Sequence, residues 1–241
     1  MPSQVQRLYD LQVSLDVDLM QFCQLPDQGI YLREENRKFL WGNGYHWAIS
    51  LALHISASVC DLLHRHNDEG LMWYFHSHCV GRADQLELSA QKLAVLIDSM
   101  GYRAFVVPGK KRGYSDGNPG ILSHQAIGRL SGMGTIGDNG LLVTTKYGPR
   151  VRLSTIVTTM PLPGQFDSVQ DNCLHCGDCV AACPSGALDG HSFDLHDPVA
   201  PMVNKQCCGT YRNGRLDRLG TKFCNLCMAV CPVGLKDGHG I

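Results

Sequence analysis

Apolar residues recur with clear periods up to about residue 165 and then give way to short segments rich in Cys, Gly and Pro. Trp47-Ala48-Ile49-Ser50-Leu51-Ala52-Leu53 is a mostly apolar run of strand length, which predicts a strand buried in a sheet. Leu86, Ala90, Leu93, Ala94 and Ile97 recur at i, i+4, i+7, i+8 and i+11, forming one apolar stripe. That stripe predicts a helix over 84–100, stopped by Gly101. Arg103 to Val107 reads as the next strand, ended by Pro108-Gly109, and Ser123 is placed to cap a short helix that ends at Gly132. Leu141 to Thr145 and Val151 to Thr159 are rich in β-branched residues and are joined by Lys146-Tyr147-Gly148-Pro149, the pattern of an antiparallel hairpin. The segment before residue 45 reads equally as helix or strand. This order predicts an α/β (α+β) domain over 1–165, followed by a domain over 166–241 that cannot fill a core by itself.

Length and charge narrow the possibilities. A chain of 241 residues can bury a proper core, so it does not need the disulfides of a small secreted module. The start, MPSQVQRLYDLQ, has no basic region followed by an apolar stretch, and nowhere do 18 apolar residues run together. The expectation is a cytoplasmic protein without a membrane span, in a compartment where clustered cysteines bind metal or do redox chemistry. With 21 Lys plus Arg against 22 Asp plus Glu, the net charge of −1 offers no general attraction for a polyanion. Lys110-Lys111-Arg112 is the one basic cluster and lies in a Gly/Pro-rich stretch that reads as a solvated loop.

The chemistry is concentrated in the cysteines. Of 12, nine fall between Cys173 and Cys231. Cys173, Cys176, Cys179 and Cys183-Pro184 fit C-x2-C-x2-C-x3-C-P, the bacterial ferredoxin run for a [4Fe–4S] cluster. Cys224, Cys227 and Cys231-Pro232 repeat it without the first cysteine, which Cys207 or Cys208 can supply. In two-cluster proteins the fourth cysteine of each run ligates the other cluster. The expectation is one cluster on Cys173, Cys176, Cys179 and Cys231, and a second on Cys183, Cys208, Cys224 and Cys227. Zinc sites would also use four cysteines each, but they require neither the triplet nor the prolines. Cys23, Cys60 and Cys79 lie in or beside apolar segments and read as small core residues.

Gly132-Met133-Gly134-Thr135-Ile136-Gly137-Asp138-Asn139-Gly140 is the densest group of special residues in the first domain. Its GxGxxG lies after a predicted helix and before a strand, the reverse of a dinucleotide site. That stretch, with Leu141-Leu142, Tyr147-Gly148, Thr158 and the two crossed cysteine motifs, resembles the epoxyqueuosine reductases and the related reductive dehalogenases over roughly residues 45–235. The resemblance implies a nitroreductase-like domain that binds cobalamin, fed with electrons by two [4Fe–4S] clusters, with Gly132, Gly134, Ile136, Gly137 and Asn139 at the corrinoid. Flavin (FMN) is the alternative occupant of such a fold.

Epoxyqueuosine reductases carry an aspartate proton donor upstream of the Gly-x-Gly, and its place here falls near Asn118, so Asp116 or Tyr114 is the candidate catalytic acid. No histidine stands in a full D-x-H-x-x-G motif, so a corrinoid is expected without a protein ligand below it. His76-Ser77-His78-Cys79 is expected on a strand or its edge, where neighbouring side chains diverge and cannot share a metal. The chain stops at Ile241, ten residues past Cys231, and with its balanced charge this leads to the expectation that tRNA is not the substrate. The expected partners are an external low-potential electron donor, such as a ferredoxin or flavodoxin, and a small-molecule substrate. A second reading has the clusters reduce a corrinoid or corrinoid protein, without an organic substrate of their own.

Overall fold

The computed structural model describes residues 4–27, 34–108, 122–164, 170–193, 202–219 and 222–235. In chain order the elements are α1 (Gln4–Ser14), β1 (Leu19–Gln24), α2 (Glu34–Gly42), β2 (Trp47–His54), α3 (Ala57–Cys60), α4 (Glu69–Ser99), β3 (Ala104–Val107), α5 (His124–Leu130), β4 (Gly134–Ile136), β5 (Leu142–Thr144), β6 (Val151–Thr158), α6 (Asp178–Ala181), α7 (Lys205–Leu219) and α8 (Leu226–Ala229). The chain forms two compact units. One comprises Met1–Leu53, Ala83–Met133 and Arg152–Val169; the other comprises His54–Arg82, Gly134–Val151 and Gln170–Ile241.

The first unit is built on a four-stranded sheet of order β1-β2-β6-β3. β1 pairs antiparallel with β2, in the register Leu19↔Ala52 to Gln24↔Trp47, and β3 pairs antiparallel with β6. Alternation along the strands feeds two cores. Ile49, Leu51 and Leu53 join Met20, Phe22 and Ile156 against the Leu86, Ala90, Leu93 and Ile97 stripe of α4. Ala48 turns the other way with Cys23 and Val157, toward Leu40 and Ile127. With both faces covered, β2 is buried from Ala48 to Leu53, as its unbroken apolar run requires. The predicted cap of α5 is present: the Ser123 hydroxyl accepts from the Ala126 amide.

Two expectations are corrected. α4 begins at Glu69, well before the stripe that revealed it. His76-Ser77-His78-Cys79 is therefore helical, with Cys79 fully buried among Met72, Phe75 and Ile55. The predicted hairpin of residues 141–145 with 151–159 does not form. β5 pairs with β4, Gly134↔Thr144 to Ile136↔Leu142, while β6 lies between β2 and β3 in the larger sheet. β-Branched composition marks a strand without naming its partner. Here Gly134 decides the matter, because a Cβ at that position would lie 2.3 Å from the Val143 carbonyl oxygen, so only glycine lets β4 approach. Among the described residues no helix is long and apolar enough to cross a membrane.

Candidate metal centre

The second unit holds every cysteine from Cys173 onward. Its apolar support is small: Ile55, Cys60, Leu63, Met72, Phe75 and Cys79 meet Leu226, Met228 and Ala229 of α8. Polar contacts fasten its two cysteine-bearing loops.

The first loop is fastened to the β4–β5 hairpin. Asn172 donates from its amide to Thr135 Oγ1 (3.1 Å) and from its side chain to the Val143 carbonyl (2.9 Å). The Cys173 amide donates to Asp171 (2.9 Å). His175 is bracketed by Asp138, 2.9 Å from Nδ1, and Asp171, 3.0 Å from Nε2. The two carboxylates, Asp171 first, hold this imidazole above its ordinary pKa. Ser192 adds a hydrogen bond to the buried Asp138 (3.0 Å). His175 and Gly177 both take left-handed backbone conformations, φ 49° and 80°, so the chain coils tightly before entering α6.

The second loop is fastened by arginines. Arg150, only 3% exposed, donates to the carbonyls of Val233 (2.8 Å), Ala229 (3.2 Å) and Cys231. Arg215, equally buried, donates to the carbonyl of Phe223 (2.9 Å) and to that of His66. Asn139 donates to the Cys227 carbonyl (3.1 Å) and accepts from the Leu141 amide (3.0 Å). Asn225, at φ 55°, repeats the left-handed entry into a short helix, here α8.

These contacts bring distant cysteines together. Cys173, Cys176 and Cys179 share with Cys231 the lining of one partly open pocket, to which Asp138, Gly177 and Val233 also contribute. Burial raises the Cys231 thiol, and Cys173 and Cys176 add to the rise while the Val233 amide and Arg150 oppose it. Cys179 is pushed up to about 11 by burial, helped by Asp138, Cys173 and Cys176. A second set converges nearby, around Cys227. Burial drives Cys227 up to about 12, with Cys224, Cys179, Cys183 and Cys208 contributing, and Cys224 is raised by burial and by Cys208 and Cys183. Burial also acts on Cys183, but hydrogen bonds from Ser185, Ala187 and Leu188 prevail and hold it below the ordinary thiol value. Cys207 is exposed and enters neither group; Cys23, Cys60 and Cys79 are buried in cores.

Sulfur donors converging from separate loops are suited to a soft metal centre, because thiols that resist ionisation when buried are deprotonated on coordination. The glycine-rich stretch serves this end of the unit. A Cβ on Gly137 would lie 2.7 Å from the Val143 side chain, so glycine leaves room for that residue beside the Cys173 sulfur. Gly134 closes the hairpin, and Ile136 is the last residue of β4. Gly132, at φ 76°, belongs to the other unit. Asp116 and Tyr114 lie outside the described residues. Sequence reasoning did not single out Arg150, Arg215, Asp138, Asp171 or His175.

Residues 166–188 match the model of the 4Fe-4S binding domain family. Among curated proteins, the chain is 33% identical over 104 residues to the epoxyqueuosine reductase of Listeria monocytogenes, covering 43% of this chain and 25% of that one. It is 30% identical over 128 residues to the tetrachloroethene reductive dehalogenase of Desulfitobacterium hafniense, covering 52% of this chain and 20% of the relative. It thus spans a quarter or less of the length of these relatives. Solved structures share the fold at 18% identity. A selenomethionine-labelled epoxyqueuosine reductase gives a TM-score of 0.55 over 95% of this chain and 65% of that one. A catabolic reductive dehalogenase in complex with 3-bromo-4-hydroxybenzoic acid gives 0.66 over 94% and 31%. Over these stretches the chain is similar to epoxyqueuosine reductases and reductive dehalogenases, as its motifs implied. It carries a 4Fe-4S domain on a mixed α and β fold.

Proposed function

We propose that this chain is an iron–sulfur reductase in which two [4Fe–4S] clusters pass single electrons to a corrinoid, which in turn reduces a small substrate. The supporting observation is the crossed convergence of the cysteines. Cys231 lines the pocket of the Cys173, Cys176 and Cys179 loop, and Cys183 influences Cys224 and Cys227 instead. A ligand set that exchanges its last member between two runs is the arrangement of two-cluster ferredoxins. Cys208, half-buried where Cys207 is exposed, is favoured as the eighth ligand, in keeping with its influence on Cys224 and Cys227. The corrinoid in this reading is supported by likeness to a reductive dehalogenase whose structure is described in terms of B12-dependent dehalogenation, with a TM-score of 0.65 at 18% identity. The corrinoid-binding part would be the nitroreductase-like α/β region expected within 1–165, for which Gly132, Gly134, Ile136, Gly137 and Asn139 are the proposed cofactor residues and Asp116 or Tyr114 the proposed proton source. A cytoplasmic setting with a protein electron donor fits this reading.

The test is anaerobic purification with iron and acid-labile sulfide analysis, followed by spectra before and after adding cobalamin. The expected result is roughly eight irons per chain, a broad absorbance bleached by reductant, and a base-off cobalt spectrum. Bound zinc, or roughly four irons, would remove the two-cluster reading. An unchanged cobalamin spectrum would remove the corrinoid.

A further inference from the structure

The second unit carries an exposed aromatic surface beside its second cysteine loop that the reading above does not use. Trp73 and Tyr74 of α4 are 47% and 70% exposed. The Trp73 ring stacks on His76, with centroids 5.2 Å apart, and His76 lies 4.6 Å from the ring of Phe223. Buried Phe75 backs Phe223 edge-on at 6.0 Å. Phe223 is the residue before Cys224, so this aromatic run ends on the backbone of a proposed ligand.

Cations flank its Phe223 end. Lys222, next to Phe223, is exposed, and Arg212, also exposed, donates to its carbonyl (2.8 Å). On α7, Lys205, Cys208 and Arg212 follow at i, i+3 and i+7, which puts both cations on the helix face that carries Cys208. Glu69, one turn before Trp73, is an exposed acid on the approach, and Asp68 is engaged by Arg65 at 2.9 Å. By contrast, residues 170–193 around the first loop contain Asp171, Asp178 and Asp189 and no Lys or Arg.

We infer that the surface formed by Trp73, His76, Phe223, Lys222, Arg212 and Lys205 docks a small acidic protein carrying a one-electron redox centre. The inference rests on the two-cluster reading and assigns the point of electron entry. One electron leaves the reduced carrier, which is oxidised by one, and arrives on the cluster held by Cys183, Cys208, Cys224 and Cys227, which is reduced by one; no bond is made or broken. Cationic residues steer the acidic carrier, and the aromatic surface supplies the desolvated centre of a transient interface.

The experiment follows cluster bleaching by stopped flow on the anaerobic holoprotein, with two reductants: a reduced acidic ferredoxin and photoreduced 5-deazariboflavin, a small neutral molecule. The double variant R212E/K222E should slow reduction by ferredoxin about tenfold at low salt and flatten its dependence on ionic strength, with the deazaflavin rate unchanged. Trp73→Ala should slow the ferredoxin reaction several-fold at full iron content. Equal ferredoxin rates in the native and charge-reversed proteins would overturn the proposal, as would equal slowing with both reductants. Dissociation of a dimer by Trp73→Ala in sedimentation velocity, with unchanged carrier kinetics, would assign the face to a second copy of the chain and overturn it as well. Failure of the two-cluster reading is seen separately, in the iron content of the native protein before any kinetics.

Discussion

The two cysteine loops share one local design and are anchored in opposite ways. Each enters a short helix through a left-handed residue, Gly177 before α6 and Asn225 before α8, and each ends in Cys-Pro. The first is held by neutral amides and carboxylates, many of them on an exposed edge: the side chain of His175 is 46% exposed and that of Asp171 58%. The second is held by two buried guanidinium groups that gather backbone carbonyls from several turns of chain. A sulfur-lined site therefore does not dictate its own anchoring. The ligand spacing is common to both loops, while the surrounding charge is set by whichever segment folds against each.

The largest expected effect tests whether the loops are separate at all. If ligands are crossed, Cys231→Ser removes the cluster of the first loop, and Cys183→Ser removes that of the second. Iron should fall by roughly half in each, with the surviving cluster distinguished by its paramagnetic resonance spectrum. Retention of the first-loop cluster in Cys231→Ser would show the loops to be independent. Next, Cys208→Ser should cost the second cluster while Cys207→Ser leaves iron content intact; the reverse would exchange their roles.

Anchoring is tested by Arg150→Met, which strips a charged donor from three carbonyls. The expected loss of stability is on the order of 3 kcal/mol by denaturant titration, with faster amide exchange across 226–233 and little change across 172–180. Uniform loosening of both loops would erase the contrast. Asn139→Ala should cost about 1 kcal/mol through the Cys227 carbonyl. The smallest effect belongs to His175→Gln. Its partly exposed pairs with Asp138 and Asp171 predict a loss below about 1 kcal/mol, and a larger loss would show the first loop to depend on charge as much as the second.

These differences explain what was legible in the sequence. β2 was, because a strand buried on both faces must be apolar throughout. The second half of α4 was, because its stripe faces one core, whereas the first half has Met72, Phe75 and Cys79 interleaved with His76 and His78. The cysteine spacing was legible because a cluster demands its ligands locally. The pairing of β5 with β4 was not, since it turns on a backbone approach at Gly134 rather than on composition. Arg150 left no signal either, because its three carbonyls lie 79 to 83 residues further along the chain.

The interleaving of the two units also bears on how the protein is made. Met72, Phe75 and Cys79 are complete in the nascent chain long before Leu226, Met228 and Ala229, which share their core. At roughly 5–20 residues per second, the nearly 150 residues between Cys79 and Leu226 leave that apolar face of α4 waiting on the ribosome for about 7 to 30 s. Over that interval the nascent α4 is a natural client for a chaperone, and slowing translation after residue 80 should lower the yield of folded protein.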